Sequence, residues 1–265
     1  MSAKPTVDRE QEIAEFLRLL NHVREGYSSI LFIEESSGRG KSRLLKRFKD
    51  ICGEQVRTWS YVDLVGGSLT PIDILKRIAA DLNGVPLKKL WDALNKRGVI
   101  AVSPEISNNR TFGSTSLNIE TTIHLERLNQ NEQKQLWSDA AHGFNDDLRD
   151  YWKSDGVVVL LFDTYEKAVP ESQVWITDHI LPAVARQRVP GLFIVVAGKS
   201  CPKQSGEWGD ECEFMPLPPL KEEHWSEYAK LVGASLTAAQ IRQLYEKHEG
   251  EALKMAETVD LFIKQ

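Results

Sequence analysis

The pentapeptide Gly38-Arg39-Gly40-Lys41-Ser42 follows a short apolar run at residues 29–33 (SILFI) and opens a stretch whose apolar residues recur at helical spacing. No other feature narrows the fold as far. Small residues let consecutive backbone N–H groups turn inward around phosphate oxygens. A helix starting at once aims the positive end of its dipole at the same anion. Behind the loop, Leu44, Leu45, Phe48, Ile51 and Cys52 share one helical face, and Gly53 stands where a helix stop is expected. Lys41 is placed to reach the β- and γ-phosphates and Ser42 to ligate Mg²⁺. Ser37, Gly38, Arg39, Gly40 and Arg43 complete the candidate phosphate-side set. The full pattern GxxxxGK[ST] asks for glycine at position 35, where this chain has Glu35. That carboxylate must point away from a bound phosphate.

A second element supports the first. Residues 157–163 (VVVLLFD) read as a parallel strand buried on both faces and ending in Asp163. A carboxylate at that strand end can hold the Mg²⁺ hydration shell beside the phosphate loop, so Ser42 and Asp163 are the candidate metal ligands. Glu166, three residues on, is a candidate for orienting or deprotonating an attacking water, and Lys41 for stabilising charge on the transferred group.

Around these motifs, helical stripes alternate with apolar runs, which predicts an α/β fold with a parallel sheet. Asp8 is the expected N-cap of a first helix carrying Ile13, Phe16, Leu17 and Leu20, ended by Gly26. Residues 56–64 read as a strand, and Thr70-Pro71 starts a helix with Ile74, Leu75, Ile78 and Leu82 inward. From Leu117 to Leu125 apolar and polar residues alternate strictly, with Gly113-Ser114 before them, which predicts an inserted β-hairpin. Trp137, Ala140, Ala141, Phe144, Leu148 and Trp152 mark a further helix, and LFIVVAG at 192–198 another buried strand. After Pro218 the β pattern stops. Three short helices follow, one opened by the capping box Thr237…Gln240. The expected division is an α/β core over 1–218 and a helical lid over 219–265.

The formal charge of −5 over 265 residues argues against a global nucleic-acid footprint, so nucleic acid is not an expected partner. The longest apolar runs fall far short of the ~20 residues of a membrane helix, and the N-terminus lacks a signal-peptide core. No membrane role is expected. Three cysteines in no metal-ligand spacing fit reduced thiols and a cytoplasmic location. Arg186 and Arg188 read as surface arginines, and His124 and His248 as lone histidines without a ligand role.

Taken together, these segments resemble the nucleotide-binding module of the STAND class of P-loop ATPases, the AAA+ relatives that include NB-ARC and NACHT proteins. VDREQEI resembles the family's opening "GRexE" motif, with Arg9 in place and Asp8 for the usual glycine. IEESSGRGKSRLL resembles its Walker A and VVVLLFDTYEKA its Walker B. FIVVAGKS is similar to the following sensor strand, with Lys199 where arginine is common, and HEGEALKMAETVD to the "GxPLAL" lid motif, with Ala252 for proline. The resemblance implies a sheet of order 5-1-4-3-2 and ATP with Mg²⁺ between core and lid, with Arg9 and Lys199 joining the nucleotide contacts. It also implies a slowly hydrolysing regulatory or signalling module, a protein partner supplying sensor or effector function, and a nucleotide-dependent oligomer. A second reading stays open on Glu35, Asp8 and Ala252: a degenerate P-loop domain serving as an interaction scaffold with weak or no turnover.

Overall fold

The computed structural model describes residues 9–66, 69–82, 84–96, 100–103, 120–123, 128–154, 156–186, 188–203 and 212–263. Five strands form one parallel sheet: β1 (Ser29–Glu34), β2 (Thr58–Asp63), β5 (Val158–Asp163), β6 (Leu192–Gly198) and β7 (Cys212–Phe214), in the order β2-β5-β6-β1-β7. Numbering these five strands along the chain and reading from the β7 edge gives 5-1-4-3-2, as the resemblance implied. Every residue of β5 and β6 is buried, which explains why both read as unbroken apolar runs rather than alternating ones.

Helices cover both faces. On one side, α1 (Glu10–Arg24) and α2 (Lys41–Gln55) pack against Leu31, Ile33, Val159, Leu161, Phe193 and Val195. Phe16 is fully buried there, stacked on Phe48 at 4.1 Å and on Phe193 at 5.2 Å. Such burial stabilises by roughly 1.5–3 kcal/mol per large side chain. On the other side lie α3 (Pro71–Asp81), α4 (Lys88–Asn95), α5 (Gln130–Trp152) and the broken helix α6 (Pro170–Trp175), a π-turn (Ile176–Ile180) and α7 (Leu181–Ala185). The expected start at Thr70-Pro71 is present as a capping box between Thr70 and Asp73.

One expectation needs correction, and one helix was not foreseen. Gly53 does not stop α2, which continues to Gln55. The last turn closes through the Val56 amide donating to the Cys52 carbonyl at 2.8 Å, because burial of Cys52 and Val56 holds that turn against the sheet. The periodicity also missed α4. Its N-terminus is capped from outside, by Asp147 of α5 accepting from the amides of Lys89 and Leu90 at 3.1 and 2.9 Å. The two helices approach so closely that a Cβ on Gly143 would lie 2.6 Å from the Lys89 carbonyl oxygen.

The expected cap Asp8 lies outside the described residues; α1 begins after Arg9. Of the inserted hairpin, β3 (Ile100–Ser103) and β4 (Glu120–Ile123) pair antiparallel as a separate two-stranded sheet. Its Gly113-Ser114 turn and His124 lie outside the described residues. The helices expected to form the lid are α8 (Glu222–Leu231), α9 (Ala238–Lys247), opened by the expected Thr237–Gln240 box, and α10 (Ala252–Asp260). These helices share their own small apolar cluster around Trp225, Tyr228, Ile241, Met255 and Val259. Among the described residues no helix is long and apolar enough to cross a membrane, and no group of three or more His, Cys, Asp or Glu side chains is placed to hold a metal ion.

Candidate functional site

β1 ends at Glu34 and α2 begins at Lys41, so six residues, 35–40, make the turn. Gly38 and Gly40 have φ of +80° and +93°, backbone that side chains rarely adopt. A Cβ on Gly38 would also come within 2.7 Å of the Glu251 carboxylate at the start of α10, which would have to move aside. No side chain caps the N-terminus of α2 and no acidic residue sits in its first turn. The leading amides of that helix, together with Lys41, therefore present an anion site.

The Lys41 ammonium donates to the carbonyls of Glu35 and Ser36 at 2.5 and 2.8 Å, which places it beneath the loop. Burial pushes its pKa below the ordinary lysine value, opposed by the nearby carboxylates of Glu166, Glu35 and Asp163. Glu35 turns its own carboxylate back onto the Ser36 amide at 3.2 Å. Asp163, at the end of β5 and 2% exposed, accepts from the Ser42 hydroxyl at 3.1 Å across 121 positions of sequence. A serine hydroxyl beside a buried carboxylate is a hard-oxygen pair suited to Mg²⁺. Thr164 then takes a left-handed turn (φ +59°) into a short 3-10 segment, Tyr165–Lys167. This brings Glu166 back over β6, where it accepts from the Lys199 amide at 2.9 Å.

All the residues singled out from sequence for this site, from Arg9 to Lys199, line a single cavity of about 650 Å³ between the loop and the lid. That is within the usual range of small-molecule sites, about 300–1,000 Å³. Arg9 lines the cavity and is also held by contacts within the protein. Only 5% exposed, it pairs with Glu12 at 2.7 Å and donates to the Pro218 carbonyl at 3.1 Å and the Arg39 carbonyl at 3.4 Å. It thus ties the head of α1 and the 35–40 loop to the segment just before the lid.

Sequence reasoning missed the far wall of the cavity. Leu220, Trp225 and Tyr228 supply an apolar, aromatic surface from the lid. Tyr228 lies edge-on to Trp225 at 5.7 Å, takes the Arg43 guanidinium over its ring at 5.3 Å, and donates to Asp260 at 3.0 Å. The signal was present as the i, i+3, i+4 spacing of Trp225, Tyr228 and Ala229 on α8, but that spacing marks a buried face without saying what it borders. From α10, the Leu253 amide donates to the Gly38 carbonyl at 3.1 Å, so the lid rests directly on the loop. Arg186 and Arg188 are exposed, and His248 is bonded within the lid to Thr258 at 3.1 Å.

No protein-family model matches the sequence, and no curated protein matches it. Solved structures do. The chain is similar to the Walker-type ATPase of Pyrococcus abyssi, with a TM-score of 0.54 and 15% identity over 98% of this chain and 70% of that one. It is similar to Cdc6p of Pyrobaculum aerophilum, also with a TM-score of 0.54 and 15% identity, over 96% of this chain and 61% of that one. A STAND protein with a tetratricopeptide-repeat sensor from Pyrococcus horikoshii matches over all of this chain and 34% of its own length, with 13% identity and a TM-score of 0.43, too distant to weigh. The chain thus spans between about a third and 70% of the lengths of these structures. Similarity at this level shows the fold alone, a helix-flanked parallel α/β sheet of P-loop type.

Proposed function

We propose that this chain is an ATP-binding, slowly hydrolysing regulatory module. The proposed division is an α/β core through residue 218 and a nucleotide-sensing lid from 219. The observation that carries the reading is the meeting of Lys41, Ser42 and Asp163 under an uncapped helix N-terminus, in a cavity closed on its far side by Trp225 and Tyr228. Lys41 and the loop amides would hold the β- and γ-phosphates, and Ser42 and Asp163 would hold Mg²⁺. The metal, when bound, neutralises charge on the phosphates. Glu166, oriented by the Lys199 amide, is the group to position water for attack. Leu220 with the buried Trp225 and Tyr228 forms the apolar wall that would lie toward the base.

Because α10 sits on the Gly38 carbonyl and Glu251 on the loop, a bound γ-phosphate and the lid share one small region. Nucleotide state would therefore set the lid position, which a partner protein or a second copy of the chain would read. The STAND subclass, the cytoplasmic location and that partner belong to this proposal.

Calorimetry with ATP and ADP in Mg²⁺, for the wild type and Lys41→Ala, tests it. Loss of one charged hydrogen bond costs roughly 1.5–3 kcal/mol, an expected weakening of about 10- to 150-fold. No binding to either protein would leave the scaffold reading in its place. Scattering with ADP and with an ATP analogue tests the switch, and an unchanged lid position would sink it. Salt-sensitive DNA binding would instead point to a DNA-associated ATPase.

A further inference from the structure

Asp163 is held from two sides, and only one of them belongs to the phosphate loop. Its Oδ1 accepts from Ser42 at 3.1 Å and from Thr164 at 3.4 Å, while its Oδ2 accepts from the phenol of Tyr61 at 2.7 Å. The strand register makes this reach possible. β2 and β5 run parallel with Tyr61 opposite Leu161 and Asp63 opposite Asp163. Side chains two apart on a strand share a face, so Tyr61, Leu161 and Asp163 all stand on the side covered by α2. The phenol then spans the two-residue step to the strand end. Its ring is half-buried at the edge of the α1–α2 cluster, with the Lys49 ammonium 5.6 Å from the ring centre.

A phenol carries its proton at neutral pH, and Tyr61 donates it to the Asp163 carboxylate. A hydroxyl donating to a carboxylate is a charge-assisted bond, stronger than a neutral one. Such a bond fixes which oxygen of a buried carboxylate faces the site.

We propose that Tyr61 is a positioning residue for the Mg²⁺ site, holding Asp163 by Oδ2 so that Oδ1 is presented beside the Ser42 hydroxyl. The inference rests on the Mg²⁺-nucleotide reading above and adds a group from β2 that touches neither nucleotide nor metal. Supporting contacts of this kind typically change metal affinity by about 10- to 100-fold when removed.

Tyr61→Phe deletes the hydroxyl alone and keeps the ring and its packing, so the variant folds. Ser60→Ala is the control: Ser60 lies next to it on the opposite face of β2 and donates to Asp81 at 2.6 Å, away from the site. Mg²⁺ is titrated into each protein at fixed ADP, with ADP affinity also measured in EDTA and thermal midpoints recorded. The expected result is an apparent Mg²⁺ affinity about 10-fold weaker in Tyr61→Phe, unchanged ADP affinity in EDTA, and a wild-type Mg²⁺ midpoint in Ser60→Ala whatever its thermal midpoint. Superimposable Mg²⁺ titrations for Tyr61→Phe and the wild type, or an equal shift in Ser60→Ala, would overturn the inference while leaving the nucleotide site standing. A wild type that binds no ADP in Mg²⁺ would end the nucleotide reading itself, and this inference with it.

Discussion

The α/β core and the lid bury their side chains to different depths. In the core, β5 and β6 have no exposed residue, and two ranks of helices seal the sheet from both sides. In the lid, α8, α9 and α10 close over one small cluster, and Leu231, Leu253, Leu261 and Phe262 remain exposed. The lid is joined to the core by directed contacts such as Leu253 to Gly38 and Arg43 over Tyr228, with Arg9 holding Pro218 just before the lid begins. Thick burial resists deformation, whereas a thin unit on a few polar ties can change position for a few kcal/mol. The candidate site lies on the seam between them, with the 35–40 loop on the core side and the aromatic wall on the side of α8.

The largest effect should come from the core. Phe16→Ala removes a ring packed on two others and should cost about 3–5 kcal/mol, lowering the whole unfolding transition in urea. The matching cut in the lid is Met255→Ala, at a fully buried position, with an intrinsic cost of about 2–5 kcal/mol. Here the loss should stay local: hydrogen exchange should speed up across α8–α10 while β5 and β6 keep their protection. Equal loss of protection in both parts would make the protein one cooperative unit and break the contrast.

Between these lies the tie itself. Arg9→Met removes the guanidinium from the Pro218 and Arg39 carbonyls and strands Glu12, which is 8% exposed. Hydrogen bonds from a charged group contribute about 1.5–3 kcal/mol. Faster exchange at the start of α8 together with weaker nucleotide binding is the expected pair of results. Weaker binding with unchanged lid exchange would mean that Arg9 acts on the ligand directly, as its motif suggests.

What was readable in the sequence follows the same divide. The strand–loop–helix around Gly38–Ser42 and the buried strand ending at Asp163 are local patterns, and each emerges where its pattern places it. The α2 face from Leu44 to Cys52 is buried residue for residue. Contacts between distant segments were not readable. Tyr61 and Asp163 meet because two strands pair in one register, and Asp147 caps α4 across 57 positions. Nothing in the local spacing of tyrosines or aspartates encodes either. Gly53 misled because a helix stop is a propensity argument, and packing of Cys52 and Val56 overrides it.

The smallest effect tests whether the core is uniform, through two aspartates three residues apart on α5. Asp150 is exposed and paired with Lys153 at 2.7 Å and Lys89 at 2.5 Å, which lowers its pKa from 3.8 to about 2. The unfolded chain then binds the proton more readily, so this contribution is complete above pH 3.8 and is lost as pH falls toward about 2. Asp147 is raised above 3.8 by burial, against the amides of Leu90 and Lys89 that it accepts from. Its sign is opposite: the folded state holds the proton longer, so its contribution falls as pH rises from 3.8 through the raised value. Asp150→Asn should therefore flatten the acid limb of a stability–pH curve between about pH 2 and 3.8. Asp147→Asn should remove a decline above 3.8. Urea unfolding across that range separates the two, and slopes of the same sign in both variants would mean that Asp147 is solvated like its neighbour and that the α4–α5 contact is looser than the rest of the core.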